Sequence, residues 1–496
     1  MVFSKKACAV LSVMFCLLIA TSALSSCSST TDNSSSETAL TEETTKVVES
    51  QVIEPVELSM YLYGAEIANA QQVEDTYSSI FQEYELKTKN KIELIFLPSD
   101  NAHTWMITQF AAGTIPEILK TRRVWAWEDY TKGLIHDLGP YLENENPYMP
   151  GQKWKDTFTP NVFRQTIDPA NNVSSCVPFQ VVTGKIIYNK DLFAQAGVVN
   201  EPQTWQEYMD ACKKLEEAGI VPFGFANSKM SDNDFHWLLS SAFGELDVNL
   251  RKQMDVDGDG QVIKNEQARA TDLGLIDFSK SPFKESFEMV KELSQYFNSD
   301  FNAVDRKTNM EMWLSGKVAM LMLGSWEVIA IETMADRNFE YGALSSPYFP
   351  KETNPNASGM VTMIGGSPVD TYAITKVAEG DKLAAAIDFL QYLTSREIQE
   401  KCAKDLYYIP VVDGVDLPES IKGFMVQDNE DIVRSNYTGP ATSQEFSDFL
   451  CRMGQMYLTD KIGFEEFSSA LNEEWKKAME NAKKANNWTK ENNYGM

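Results

Sequence analysis

Histidine is scarce in this chain, with three in 496 residues, and its seven cysteines form no CxxC pair. A zinc centre needs ligands at short spacing, but His103, His136 and His236 lie far apart and no HExxH occurs. Cys8 and Cys16 sit in an N-terminal apolar run, and Cys27 closes it. Cys176, Cys212, Cys402 and Cys451 are scattered, which is no disulfide scaffold for this length, although one disulfide remains open. Cys212 falls on the apolar side of a helical pattern and reads as a small buried hydrophobe. Phosphate-cradling glycine loops are also missing. Gly184-Lys185 is followed by Ile186, so it is no P-loop, and Gly258 and Gly260 lack the third glycine of a dinucleotide fingerprint. No GxSxG elbow occurs. Positive charge is short: 44 Lys and Arg against 71 Asp and Glu leave a net charge of −27. Such a surface repels nucleic acid and anionic membranes and suits neutral or cationic ligands, with a local basic pocket still open. Past the N-terminus no apolar run is long enough to span a bilayer. No catalytic motif supports an enzyme, so none is expected, although a two-carboxylate glycosidase cannot be judged where acids are abundant.

What is present begins with a targeting signal. Lys5-Lys6 precedes the apolar run Ala7 to Leu24, then Ser25-Ser26-Cys27. Residues 1–26 read as a lipoprotein signal peptide, with Cys27 as the lipidated first residue of the mature chain. Acyl chains would anchor it by burying methylenes at ~0.8 kcal/mol each. An ordinary signal peptide or an N-terminal membrane helix is the alternative. Residues 27–55, rich in Ser, Thr and Glu, cannot bury enough surface to fold and read as a disordered tether. The expected location is the cell surface, at the outer face of the cytoplasmic membrane. A Gram-positive cell fits best, because it has no periplasm to confine a soluble binder.

The remaining length suits about two to four domains. Strand and helix patterns alternate. VELSMYLYG reads as a strand, and Tyr77, Ile80, Phe81 and Tyr84 mark a helix face. KIELIFLP and IPEIL read as strands around a helix that stops at Gly113. GKIIYN and VAMLML are further strands. Thr204 and Glu207 form a capping box. Leu383, Ile387 and Leu390, and later Phe464, Phe467, Leu471, Trp475 and Met479, form stripes that read as core rather than cofactor sites. The alternation predicts an α/β fold with parallel strands.

Asp255 to Glu266 reads DVDGDGQVIKNE. Asp255, Asp257 and Asp259 hold positions 1, 3 and 5 of a twelve-residue calcium loop. Gly260 makes the turn, Gln261 offers its carbonyl, and Glu266 is the bidentate ligand. Ile263 at position 9 offers no oxygen. A solvated acidic turn is the competing reading. A calcium sensor would pair two such loops between helices; one loop, followed by the poor helix former QARATDLGLIDF, predicts a structural Ca2+ site.

Several stretches taken in order resemble the family 1 extracellular solute-binding proteins of ABC importers, the group of maltose-binding protein. They are QFAAGTIPEIL (109–119), VPFQVVTGKIIYNKDLFAQAG (177–197), LSGKVAMLMLGSWEV (314–328), GGSPVDTYAITK (365–376), AAIDFLQYLTSREIQE (385–400) and LYYIP (406–410). The resemblance implies a type II two-lobed fold, each lobe a mostly parallel sheet flanked by helices, with ligand in the cleft. Residues 56–182 with 346–400 would form one lobe, and 183–345 with 401–496 the other. Hinge strands are expected near 177–184 and 344–348, with a third crossing near 400–406. It also implies a carbohydrate ligand, an ABC permease as partner, and a monomer. Sugars offer apolar faces and hydroxyls, which aromatic rings and planar polar groups recognise. Trp326 matches the aromatic that family members stack on sugar. Trp237, Tyr63, Glu66, Asp100, Arg123, Trp125, Gly366, Ser367 and Tyr408 complete the candidate cleft, with core packing as the alternative for each aromatic. The adjacent arginines of LKTRRVWAW depart from the family run and suggest an acidic or strongly polar sugar. A non-sugar solute such as a small peptide or polyol phosphate, a secreted glycan-acting enzyme, and a calcium-dependent adhesin remain the other readings.

Overall fold

A computed structural model of the chain describes residues 55–63, 70–97, 101–228, 233–258, 260–334, 337–427, 430–433, 437–438 and 443–496. The predicted signal peptide, nearly all of the predicted tether, and the predicted residues Cys27, Glu66, Asp100 and Asp259 lie outside the described residues.

The strands are β1 (Glu57–Tyr63), β2 (Lys91–Leu97), β3 (Ile118–Thr121), β4 (Val177–Asn189), β5 (Val221–Gly224), β6 (Val318–Gly324), β7 (Tyr341–Leu344), β8 (Val361–Met363), β9 (Gly365–Ile374) and β10 (Glu430–Ile432). One sheet runs in the order β2-β1-β3-β9-β4-β6-β5, with β7 also on β4, while β8 and β10 pair separately. β1 lies parallel to β2 and β3, and β5 parallel to β6. Each antiparallel pairing involves β4 or β9. The sheet is therefore mixed: parallel outer strands flank two long antiparallel ones.

β4 is the spine. Val177 to Thr183 pair with β9, and Gly184 to Asn189 pair with β6 and β7. Its thirteen residues are buried at all but one position, which is why VPFQVVTGKIIYN reads as a continuous rather than an alternating strand. The opposite faces of β6 serve different cores. Met320 and Met322 join a cluster around Phe278, Phe287 and Trp475, whereas Leu321 and Leu323 join one around Tyr77, Phe179 and Tyr372. The helix Ala70–Thr88 buries Val73, Tyr77, Ile80 and Tyr84, one per turn, against the second cluster. The helix Ala102–Ala112 stops at Gly113, whose φ of 68° suits a residue without Cβ.

Two expected crossings sit differently. β7 ends at Leu344, still beside the second half of β4, and pairing with the first half resumes at Gly365. Residues 396–406 form a helix, not a strand. None of the four described cysteines forms a disulfide, and all four are buried, Cys212 among them.

Candidate functional site

Ligands of open α/β sheets gather beyond the carboxyl ends of parallel strands. Here those ends are Tyr63 of β1, Thr121 of β3, Gly224 of β5 and Gly324 of β6. They carry two aromatic groups, one on each half of the sheet.

The first group follows β1 and β3. Tyr63 is buried, its ring 5.8 Å from Trp125 and 5.9 Å from Tyr61. Trp105 stacks on Tyr61 at 4.1 Å, and His103 lies parallel to Trp125 at 4.7 Å. Tyr63 is thus part of a small satellite core, and half-buried Trp125 covers it. Burial, and then the Asp370 carboxylate, push the Tyr63 hydroxyl above its usual range. Beneath, buried Lys120 pairs with partly buried Asp370 at 2.8 Å. Arg122 is exposed, with its guanidinium 5.0 Å from the Trp125 ring. Arg123 opens the helix Arg123–Thr131 and donates to Gln165 Oε1 at 3.2 Å; burial pulls its pKa below the ordinary value. Among the described residues neither arginine meets a carboxylate.

The second group follows β5 and β6. The chain leaves β6 in a short turn, Ser325–Glu327, with Trp326 36% exposed, the most open tryptophan on this wall. Trp237 sits one turn into the helix Asp234–Leu246, which is capped by Asn233. The two indoles meet edge to face at 5.6 Å and 67°. Gly324 makes room for this: a Cβ there would fall 2.4 Å from the Trp326 ring. Arg306 lies under Trp237, its guanidinium 4.2 Å from the ring. It pairs with Asp234 at 2.9 Å and with Glu327 at 2.6 Å.

Hydrogen bonds along the spine connect the groups. Gln165 Nε2 donates to the Gly366 carbonyl at 3.3 Å, which ties Arg123 to β9. Thr183, paired with Gly365, donates its N–H to Ser325 Oγ at 3.2 Å, next to Trp326. Gly366 has φ 72°, and a Cβ there would lie 2.3 Å from Ile432 Cγ2. Ser367 is the next β9 residue, opposite Val182. Of the predicted residues, then, Trp326 and Trp237 come together, and so do Tyr63 and Trp125, while Arg123 turns to Gln165. Gly366 and Ser367 lie on the strand between. Tyr408 sets its ring edge to face with Phe179 at 6.3 Å, beside the core. Reasoning from sequence missed Arg306, Trp105 and His103. The HxW of 103–105 beside a strand end was available as a signal; Arg306 had none.

The acidic loop gathers three of the predicted ligands. Ligand oxygens of Asp255, Asp257 and Glu266 lie within 4.8 Å of one another. Asp255 accepts the N–H groups of Gly258 and Gly260 at 2.7 and 2.9 Å, and Glu266 those of Val256 and Ile263 at 2.6 and 2.9 Å. Each of these oxygens keeps a lone pair for a cation. Burial, then Asp257 and Asp255, push the Glu266 carboxyl up. Gly258 and Gly260, with φ of 76° and 84°, supply the turn. The donor set is hard oxygen and fits calcium. One expectation fails: residues after the loop form the helix Lys264–Asp272, and Val248–Met254 is helical before it. Glu266 caps that helix, and Trp475 Nε1 bonds Thr271 at 2.8 Å, so packing and capping supply what propensity lacks.

A polar cavity of about 240 Å³ opens beside Lys185, Ser345, Glu201 and Gln427. Among the described residues no aromatic ring lines it, so they offer no face to a sugar there.

Residues 79–431 match the family described as bacterial extracellular solute-binding protein. The chain belongs to that family. Membership places it among binding proteins rather than enzymes. The sn-glycerol-3-phosphate-binding periplasmic protein UgpB of Rhizobium meliloti is 23% identical over 264 residues, 52% of this chain and 54% of that one. UgpB of Shigella flexneri is 24% identical over 257 residues, 51% and 52% of the two chains. The chain spans about half the length of the curated relatives it matches. In solved structures the fold matches a chitin oligosaccharide binding protein at TM-score 0.62 and 16% identity, over 86% of this chain and 99% of that one. It matches RafE from Streptococcus pneumoniae at 0.63 and 18%, over 86% and 98%. The fold is that of type II periplasmic binding proteins. Among the described residues no helix is long and apolar enough to cross a membrane.

Proposed function

We propose that this solute-binding protein captures a carbohydrate, an oligosaccharide, between its two lobes and delivers it to an ABC permease. The observation that carries this reading is the Trp237–Trp326 pair, an open indole braced at the carboxyl ends of β5 and β6. An exposed aromatic face is what the C–H face of a sugar requires. The solved neighbours include proteins named for chitin oligosaccharide and for raffinose. A thermal-shift screen of residues 28–496 tests it with chitin oligosaccharide, raffinose, maltose and sn-glycerol-3-phosphate. A ligand at a hundredfold excess over Kd adds about 2.7 kcal/mol to the folded state. A shift with one sugar class supports the reading; a flat sugar panel sinks it.

Arg122 and Arg123 favour a second reading, in which the solute is anionic, such as a polyol phosphate. The curated relatives are named for such a compound. A shift with sn-glycerol-3-phosphate alone would select it.

Calcium serves as a structural ion in this proposal, held by Asp255, Asp257, Asp259, Glu266 and the Gln261 carbonyl. The convergence of three carboxylates supports it, because their repulsion is relieved by a divalent cation. Calcium titration by calorimetry tests it. Cys27 carries the lipid anchor that holds the protein at the outer face of the membrane. Cys27→Ala should release it to the medium; retention on the membrane would count against the anchor.

A further inference from the structure

We infer that Arg306 is a positioning residue that holds Trp237 and Trp326 in one arrangement; this rests on the proposal that the pair receives the solute. Arg306 is itself largely buried. It acts from beneath. Its guanidinium lies 4.2 Å from the Trp237 ring. From the same plane Nη1 donates to Asp234 at 2.9 Å, and Nη2 to Glu327 at 2.6 Å and to the Met322 carbonyl at 3.3 Å.

The partners explain the role. Asp234 is the first residue of the helix that carries Trp237, and Glu327 follows Trp326 directly. One rigid cation therefore fixes the start of the helix, the end of β6 and one indole face together. Side-chain exposure is 10% for Arg306, 1% for Asp234 and 8% for Glu327, so the links are largely screened from water. The anchors are themselves fixed. Asp234 also accepts the Ala226 N–H at 2.8 Å, and Glu327 that of Gly324 at 2.8 Å. Asp305 caps the helix Arg306–Leu314 by accepting from Thr308 at 2.9 Å, which sets the backbone of Arg306. Three segments distant in sequence thus converge on a single fork. The guanidinium covers one face of Trp237, while Trp326 beside it stays 36% exposed.

A lysine cannot reproduce this. It is a point charge on a flexible stem, without the plane that stacks and forks at once. Losing the stack and one fork arm should loosen the pair and weaken stacking of a ligand roughly tenfold. Simple removal of the charge leaves two buried carboxylates unpaired and endangers folding. The test therefore uses Arg306→Lys, together with the triple variant Arg306→Met/Asp234→Asn/Glu327→Gln, which leaves no buried charge behind.

Two readouts apply, both on variants whose far-UV dichroism and melting cooperativity match wild type. The first is near-UV circular dichroism of the ligand-free protein in the tryptophan region, which reports a fixed indole pair and needs no ligand. The second is raffinose affinity by calorimetry, measured also in a Trp237→Phe background. The expected result is a diminished tryptophan dichroism in both variants, with raffinose affinity lowered about tenfold by Arg306→Lys and lowered much less once Trp237 is gone. Unchanged dichroism in both variants overturns the inference. Equal affinity losses with and without Trp237 also overturn it, because Arg306 would then act elsewhere. If wild type binds no raffinose, that sugar fails for the function proposed above, and the dichroism alone decides the role of Arg306.

Discussion

Replacing Glu245 with glutamine should flatten a large part of the pH dependence of stability. Glu245 lies at the end of the helix that carries Trp237, and 2% of it is exposed. Trp205, Tyr208, Leu238, Met289 and Leu293 surround it. Among the described residues its carboxylate has no cation partner; it accepts the N–H of Phe349. Burial pushes its pKa from 4.5 up to about 8, against the smaller opposing effect of that hydrogen bond. The folded state therefore keeps a proton that the unfolded chain releases. Where the folded state binds more protons, stability falls as pH rises. The fall begins near the unfolded value of 4.5 and levels off above about 8. At about 1.4 kcal/mol per pH unit, the whole span amounts to about 5 kcal/mol, of which about 3 kcal/mol is lost by pH 7. Glutamine keeps the size and the acceptor but never ionises. Urea denaturation of wild type and Glu245→Gln across this range is the assay. The variant should gain on wild type steadily as pH rises. A stability difference that does not vary with pH would refute the reasoning, since it would mean that Glu245 titrates alike in both states.

Three further outcomes can be checked with the same protein. Trp326→Ala should weaken sugar binding by about 1–3 kcal/mol with little change in melting temperature, because the ring is partly exposed; full affinity would remove it from the site. Asp257→Ala should lower the melting temperature in calcium but match wild type in chelator; a drop under both conditions would speak against the ion. Lys185 and Glu430 pair in the interior, each 1% exposed. Glu430→Gln should then cost about 3–5 kcal/mol by leaving the ammonium unpaired, and adding Lys185→Met should recover most of it; additive losses in urea melts would contradict this.

Local rules made much of the fold legible. The Thr204–Glu207 box forms with both of its hydrogen bonds, and Gly113 takes the left-handed stop. The stripe Phe467, Leu471, Trp475 and Met479 is buried as its spacing requires. Direction was harder to read. A strand buried on both faces, such as β4, shows a continuous apolar run whether its neighbours are parallel or not. The antiparallel pairing of β4 and β9, set by partners nearly two hundred residues away, left no local mark. The helix after the acidic loop was misread for a related reason. Its buried residues are Glu266, Gln267, Ala268 and Ala270, small or polar side chains that a hydrophobic pattern passes over. At the candidate site, Trp326 and Trp237 stand out because large aromatics beside strand ends attract attention. Arg306 does not, since its role exists only once Asp234 and Glu327 are brought to it.

The broken register of the spine has a mechanical consequence. Between Pro178 and Thr183 the pairing of β4 with β9 slips three times. Just beyond, at Gly184, β4 changes partners, while Gly365 opposite has φ 91° and a backbone so close that a Cβ would lie 2.2 Å from the Val182 carbonyl. A ladder already interrupted has few hydrogen bonds left to stretch, so the sheet is most compliant along this line. Bending would concentrate in a crease a few residues wide, with the plates on either side staying stiff. A side chain at Gly365 would act as a wedge in that crease, and a single methyl group would then limit how far it can bend, one strand partner away from the turn that carries Trp326.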